Sequence, residues 1–141
     1  MGMRNKVAAG AVAAAALGVA LVAAPAAEAA GCNSSVGACI FYNSNFQGAT
    51  FWDPDGTSHG ADNYGEPNWY TFSGGNGSGI YVKNNAASVY NYDSSYSVTI
   101  YYNSNMSGPS QYIKRQTGAN LNSTLKNNNA SQCFDFYAVC P

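Results

Sequence analysis

FYNSNFQG, residues 41–48, recurs in similar form sixty positions later as YYNSNMSG, residues 101–108, and this repeat is the main indication of the fold class. Each copy follows an apolar, strand-like run, at Ala38–Tyr42 and at Val98–Tyr102. The pattern aromatic-x4-aromatic-x-glycine is typical of a strand that runs into a folded hairpin. Glycine there supplies a positive φ, and the aromatic rings close over the turn. Met106 replaces the second aromatic residue in the second copy. The repeat predicts a chain built from two similar halves.

Each half contains four short strand-like segments separated by turns rich in Asn, Ser and Gly. The segments are Ala38–Tyr42, Ala49–Trp52, Ile80–Val82 and Val89–Tyr92 in the first half, and Val98–Tyr102, Ser110–Ile113, Ala119–Leu121 and Gln132–Tyr137 in the second. No amphipathic helix of useful length is predicted. The sequence therefore predicts an all-β sandwich of two Greek-key motifs, spanning about 38–92 and about 97–137.

The first 29 residues have the composition of an export signal. A short basic stretch precedes an almost unbroken run of Ala, Val, Leu and Gly at 7–24, and Ala27-Glu28-Ala29 fits the small-x-small cleavage pattern. Cleavage would leave residues 30–141 as the mature β domain. Two alternatives stay open. One is a transmembrane helix, for which this Ala-rich run is marginal; the other is a lipid anchor on Cys32.

The chain carries few charges. Charged residues make up 9% of it, and the formal net charge is −1. Because no basic stripe is present to neutralise phosphates, the composition argues against nucleic acid as a partner, and it equally lacks a polybasic patch for a membrane surface. Polar uncharged residues combined with 11 tyrosines suit an extracellular β-protein.

All four cysteines follow the predicted signal. They are Cys32, Cys39, Cys133 and Cys140. An even number in a small exported domain predicts disulfides. The matched spacing in CNSSVGAC and CFDFYAVC favours two local bridges, Cys32–Cys39 and Cys133–Cys140, whereas a bridge between the two ends of the domain, such as Cys39–Cys133, is the alternative. A metal site is disfavoured because the spacing is not CxxC and the single histidine is distant.

Phe41-x4-Phe46-x-Gly48 and its second copy resemble the Greek-key signature of βγ-crystallins. An export signal, a CxxxxxxC loop and two Greek keys in this order are similar to the secreted microbial proteins grouped as peptidase inhibitor family 36. Known members of that family inhibit metalloproteinases of the thermolysin type. The family's reactive bond lies in a small disulfide loop in mid-chain. This chain has no cysteine between Cys39 and Cys133, so no reactive bond is carried over.

The resemblance also implies two weak calcium sites. The runs NNAAS and NNNAS are similar to the family's calcium loop, N/D-N/D-x-x-S/T-S, with Val89 and Gln132 in its sixth position. The implied ligands are Asn84, Asn85, Ser88, Asn127, Asn128 and Ser131. Because all the Asn ligands are neutral, we expect dissociation constants on the order of 10⁻⁴ to 10⁻³ M. The alternative is that these Asn and Ser residues only build turns.

The first half is longer than the second within Asp53–Gly79. Gly48 and Asn84 are 36 positions apart, whereas Gly108 and Asn127 are 19 apart, so the first half carries 17 more residues (36 − 19). Long loops on a rigid β-scaffold often carry recognition, although a tolerated surface insertion is the alternative. The candidate target contacts, in this insert and between the last two cysteines, are Trp69, Tyr70, Phe136 and Tyr137.

No motif in the chain supports catalysis. His59 is the only histidine and lies in a glycine-rich stretch, no serine stands in a G-x-S-x-G context, and Asp53-Pro54-Asp55-Gly56 is typical of a solvated turn. We therefore predict a secreted, monomeric protein that is not an enzyme. Its leading function is inhibition of an extracellular protease, a metalloproteinase above all, by steric blockage of the active site.

Two other functions fit the sequence. One is a calcium-stabilised extracellular structural protein. The other is a module that binds the cell wall or another extracellular sugar polymer, or acts like a killer toxin. In that case Trp52, Trp69 and the clustered tyrosines would stack on sugars.

Overall fold

The computed structural model describes residues 32, 36–53, 63–135 and 140–141. Within these residues the chain forms seven strands and no helix: β1 (Ala38–Asn43), β2 (Gln47–Asp53), β3 (Ser88–Asn91), β4 (Val98–Asn103), β5 (Ser107–Ile113), β6 (Thr117–Asn120) and β7 (Ser131–Phe134). Nothing in the described ranges has the length and helical apolar character needed to cross a bilayer. The predicted export signal at 1–29 and the candidate contacts Phe136 and Tyr137 lie outside the described residues.

The strands form two antiparallel sheets that interlock the two halves. The larger sheet has the order β2-β1-β3-β6, and the smaller has the order β5-β4-β7. Strand β6 belongs to the second half, yet it pairs with β3 of the first half, with Ser88 opposite Asn120. One buried cluster then joins residues of both sheets, including Ile40, Val89 and Ile100. The predicted all-β, two-Greek-key sandwich is confirmed.

The folded hairpins take the form that the repeat predicts. The rings of Phe41 and Phe46 meet edge to face with centroids 5.7 Å apart. Gly48 has φ of 81° and Gly108 has φ of 78°, in the left-handed region that glycine enters without a steric penalty. An added Cβ on Gly48 would also lie 2.7 Å from the side-chain nitrogen of Asn43. Both conformation and space therefore require glycine at this position.

The third strand of the first half is not where the sequence placed it. Ile80–Val82 belongs to no named strand, and Tyr81 makes only an isolated bridge with Thr71. The first-half counterpart of Leu121 is instead Tyr64. Its N–H donates to Ala130 O at 2.9 Å, as the N–H of Leu121 donates to Ala87 O at 3.0 Å. The prediction was wrong because three apolar residues beside a glycine are typical of a strand, but the pattern does not show whether a neighbouring strand pairs with them.

The equivalence of Tyr64 and Leu121 shows where most of the extra residues of the first half lie. Tyr64 and Asn84 are 20 positions apart, and Leu121 and Asn127 are 6 apart, so 14 of the 17 extra residues (20 − 6) follow Tyr64. The sequence alone placed the insert within 53–79. From here on, the insert means the segment 65–83, which contains these 14 residues.

The insert covers the outer edge of β2. Thr50 and Ser73 exchange two backbone hydrogen bonds of 2.9 and 2.8 Å, and the N–H of Ala49 donates to Asn76 O at 2.7 Å. On the exposed edge of β5, Pro109 stands where β2 has Ala49. Proline offers no N–H to an incoming strand, so the two edges are protected against pairing in different ways.

Both local disulfides are present. Cys32 bonds to Cys39 and Cys133 bonds to Cys140, each pair with Cα atoms 5.8 Å apart. All four cysteines are paired, as the favoured connectivity predicts. Such bonds persist in oxidising environments, so they indicate an extracellular or comparable compartment.

Candidate functional site

The two Asn-Asn loops lie against each other at the junction of the two halves. The N–H of Asn84 donates to Asn129 O at 2.7 Å, and the N–H of Asn127 donates to Ala86 O at 2.8 Å. Asn84 and Asn127 both have positive φ, at 64° and 60°. The structure therefore brings together the two loops that the sequence singled out.

The two loop serines are committed to the hairpins. The hydroxyl of Ser88 accepts from the N–H of Phe46 at 3.0 Å and donates to Asn43 O at 2.6 Å. The hydroxyl of Ser131 repeats both bonds at the same lengths with Met106 and Asn103. Both serines are fully buried. Neither hydroxyl can turn towards a cation without breaking its bonds to the hairpin.

Asn129, which the sequence analysis did not single out, joins the loops through its side chain. Its Oδ1 accepts from the N–H of Ala86 at 2.9 Å, and its Nδ2 donates to Val82 O at 2.9 Å. Asn129 is 0% exposed. Ala86 occupies the equivalent position in the other loop, and its methyl side chain cannot form such hydrogen bonds. The available signal was this single difference between NNAAS and NNNAS.

The remaining donors do not suit calcium, which takes six to eight oxygen ligands. Nδ2 of Asn85 donates to Lys83 O at 3.0 Å, and Nδ2 of Asn128 donates to Thr124 O at 3.2 Å. A lysine, Lys83 or Lys126, directly precedes each Asn-Asn pair. Within the described ranges, no group of three His, Cys, Asp or Glu residues is placed to hold a metal. The committed serine hydroxyls, the neutral amides and the adjacent lysines therefore argue against calcium at the sites that the resemblance implies.

A pair of exposed rings marks the insert. Trp69 is 43% exposed and Tyr81 is 51% exposed, with ring centroids 5.0 Å apart. We call Trp69 and Tyr81 the aromatic ledge. Trp69 has φ of 41°, a conformation that bulky residues rarely adopt. Its N–H donates to Gly65 O at 2.9 Å, which holds the turn that presents the ring.

Two other aromatic residues singled out in the sequence lie away from the ledge. Tyr70 is partly buried, and its ring packs against Phe51 at 4.8 Å. Nε1 of Trp52 donates to Val36 O at 3.2 Å, near the start of the described domain. The structure therefore presents Trp69, and not Tyr70 or Trp52, as part of an exposed ring pair.

A cleft of about 300 Å³ adjoins the aromatic ledge. Lys83 connects the two, because it lines the cleft and its Nζ lies 5.9 Å from the ring centroid of Trp69. We call this the polar cleft; its lining residues are Lys83, Asn84, Tyr102, Asn103, Ser104, Asn128 and Ala130. It contains three amides and the hydroxyls of Tyr102 and Ser104 but no carboxylate.

The insert fills the corresponding surface of the first half. Tyr42, the counterpart of Tyr102, packs edge to face on Phe72 at 5.7 Å. Asn43, the counterpart of Asn103, donates to the side-chain oxygen of Asn76 at 3.2 Å. Tyr102 remains 39% exposed. The open cleft in the second half therefore results from an insert that only the first half possesses.

A buried polar chain lies apart from this surface. The hydroxyl of Tyr64 donates to Gln132 Oε1 at 2.5 Å, and Gln132 Nε2 donates to Asp53 Oδ2 at 2.5 Å. Burial, and secondarily the charge of Asp53, raise the pKa of Tyr64 well above its usual value. Tyr64 and Gln132 are fully buried, so this hydrogen-bonded series ties β2 and β7 to Tyr64, the residue directly before the insert, and offers no accessible reactive group.

Comparisons with known proteins show the fold alone. No protein-family model matches the chain, and no curated protein matches it. A solved structure described as "Evolution of the eye lens beta-gamma-crystallin domain fold" is similar with a TM-score of 0.54 and 13% sequence identity, over 74% of this chain and 89% of that chain. The predicted βγ-crystallin fold is confirmed, whereas the likeness does not extend to peptidase inhibitor family 36.

Proposed function

We propose that this chain is a secreted, non-catalytic protein that binds an extracellular sugar polymer through the aromatic ledge and the polar cleft. The observation that carries the proposal is the exposed Trp69–Tyr81 pair, with ring centroids 5.0 Å apart, beside a cleft lined by amides and hydroxyls. The two disulfides support an oxidising compartment, and the export signal predicted at 1–29 would deliver the chain there.

The chemistry of the surface suits a sugar. Large aromatic rings combine an extended apolar face with low conformational freedom, and the C–H face of a sugar ring can cover that surface. Asn84 and Ser104 in the cleft can exchange hydrogen bonds with sugar hydroxyls, since amides and hydroxyls both donate and accept. A cleft of about 300 Å³ is at the small end of ligand sites and suits one or two sugar units.

The ledge is held in place before any ligand arrives. The N–H of Trp69 bonds to Gly65 O at 2.9 Å, and the N–H of Val82 bonds to Tyr70 O at 2.9 Å. The insert is further tied to β2 through Thr50 and Ser73. Such preorganisation reduces the entropy lost on binding.

Retention on insoluble chitin, cellulose, xylan and peptidoglycan tests this function. The mature protein should be depleted from solution by at least one of these polymers, and the double variant W69A/Y81A should lose at least tenfold in affinity. Tyr112→Ala is the matched control, because Tyr112 is 61% exposed and lies outside the ledge. Absence of retention on every polymer, or equal retention of W69A/Y81A, would overturn the proposal.

Protease inhibition is the second candidate. The observation that favours it is the same rigid insert, which projects Trp69 from a sheet edge and could occupy a cleft on an enzyme. Titration against a thermolysin-like enzyme, a serine protease and a cysteine protease tests it. Stoichiometric inhibition of the metalloproteinase, lost in Trp69→Ala, would support this function. Cleavage of the insert, or no inhibition, would exclude it.

A further inference from the structure

Lys83 stands where the aromatic ledge meets the polar cleft. Its Nζ lies 5.9 Å from the ring centroid of Trp69, and the residue also lines the cleft. Its stem runs closely over Gly65: an added Cβ on Gly65 would lie 2.9 Å from Lys83 Cδ and 3.4 Å from Nζ. The glycine therefore leaves the space through which the ammonium group reaches the ledge.

The ammonium group has no ionic partner among the described residues. No described carboxylate forms an ion pair with Lys83, although Glu66 follows Gly65 in the neighbouring turn. The cleft itself contributes only neutral polar groups. Attraction to the face of Trp69 orients the cation and leaves its charge available to a ligand.

Lys126 is the counterpart of Lys83 in the second half, and its surroundings differ. Each lysine directly precedes an Asn-Asn pair, but Lys126 is exposed and lines no described cleft. The rings beside Lys83 come from the insert, which has no counterpart near Lys126. The chain thus contains its own matched control for the role of this charge.

We infer that the ligand is an acidic sugar chain, in which a sugar carboxylate pairs with the ammonium of Lys83 while the ring covers Trp69 and Tyr81. This inference rests on the proposed sugar-binding function and specifies its ligand class. Among the residues that line the cleft, a carboxylate would meet one cation and no anion. Pairing at such a partly exposed site should favour the acidic form over its neutral ester by about three- to tenfold.

Oligogalacturonate provides a matched pair of probes, because methyl esterification removes the charge and keeps the sugar backbone. Affinities of the mature protein for the free acid and for the methyl ester are measured by calorimetry at low salt and at 0.5 M salt. The wild type should prefer the acid by about three- to tenfold, with less preference at high salt. K83Q should bind both forms equally, whereas K83R and K126Q should retain the preference. Circular dichroism spectra verify that each variant is folded.

The outcomes separate the ligand class from the function. Equal binding of both forms by the wild type, or a preference that survives in K83Q, overturns the acidic ligand and leaves sugar binding intact. Retention on a neutral polymer without binding of either galacturonate form also overturns it. Failure to bind any polysaccharide removes the proposed function, and the inference with it.

Discussion

The side-chain oxygen of Asn129 accepts a hydrogen bond from the backbone N–H of Ala86 at 2.9 Å, which joins two loops 43 positions apart in the chain. The nitrogen of the same carboxamide donates to Val82 O at 2.9 Å. A single neutral side chain thus connects the halves at the place where the family resemblance implies calcium.

Replacement of Asn129 by Ala should destabilise the domain by about 2–4 kcal/mol, because two buried backbone groups would lose their partner. Urea denaturation measures the effect. Asn128→Ala is the control: Asn128 is half-buried and bonds within its own turn, so a loss below about 1 kcal/mol is expected. Equal losses for the two variants would contradict the role assigned to Asn129.

The thermal stability of the domain should not depend on calcium. Ser88 and Ser131 are buried in the hairpins, and the Asn-Asn loops contain no carboxylate, so we expect no calcium ion to stabilise the folded state. Melting curves in 5 mM calcium and in 5 mM chelator, at matched ionic strength, should therefore superimpose. A rise of several degrees with calcium would show that the folded domain binds the ion, and would contradict this prediction.

Ser88→Ala and Ser131→Ala should destabilise the protein by similar amounts, about 1–3 kcal/mol each. Each hydroxyl bonds one N–H at 3.0 Å and one carbonyl at 2.6 Å in its hairpin, so the same groups are left unpaired. Chemical denaturation of both variants in parallel measures this. A large loss in one half only would show that the two hairpins are not energetically equivalent.

Stability should fall above about pH 10, in part through Tyr64. Its pKa in the folded protein is raised by burial, and secondarily by Asp53, so the folded state holds the phenolic proton more tightly than the unfolded state. This contribution is complete below the unfolded pKa, near 10, and is lost as the pH rises through the higher folded value.

Tyr64→Phe tests this pH dependence. At pH 7 the variant should be less stable by about 1–2 kcal/mol, because Gln132 Oε1 loses its donor. Above pH 10 the difference from the wild type should shrink, since Phe has no proton to lose. Denaturation at pH 7, 10 and 11 measures both, with Tyr102→Phe as the control, because Tyr102 is exposed. A constant difference would rule out a raised pKa at Tyr64.

The candidate site was only partly predictable. Trp69 was identified from its place in a long loop, and it is exposed as a contact residue must be. Tyr81 and Lys83 were missed, because Tyr81 falls within the predicted strand Ile80–Val82 and no sequence motif points to Lys83. Their importance arises from contacts with Trp69 across 12 and 14 positions, which no local pattern encodes.

Local sequence patterns were sufficient to predict most of the strands, the folded hairpins and the paired cysteines. Alternation of side chains, turn chemistry and short cysteine spacing act over a few residues, so they can be read directly. Three features became visible only in the folded chain: β6 joins the sheet of the first half, Asn129 joins the two loops, and Lys83 lies over Trp69. These contacts form between distant segments once both sheets bury a shared core, and that packing selects partners independently of local pattern.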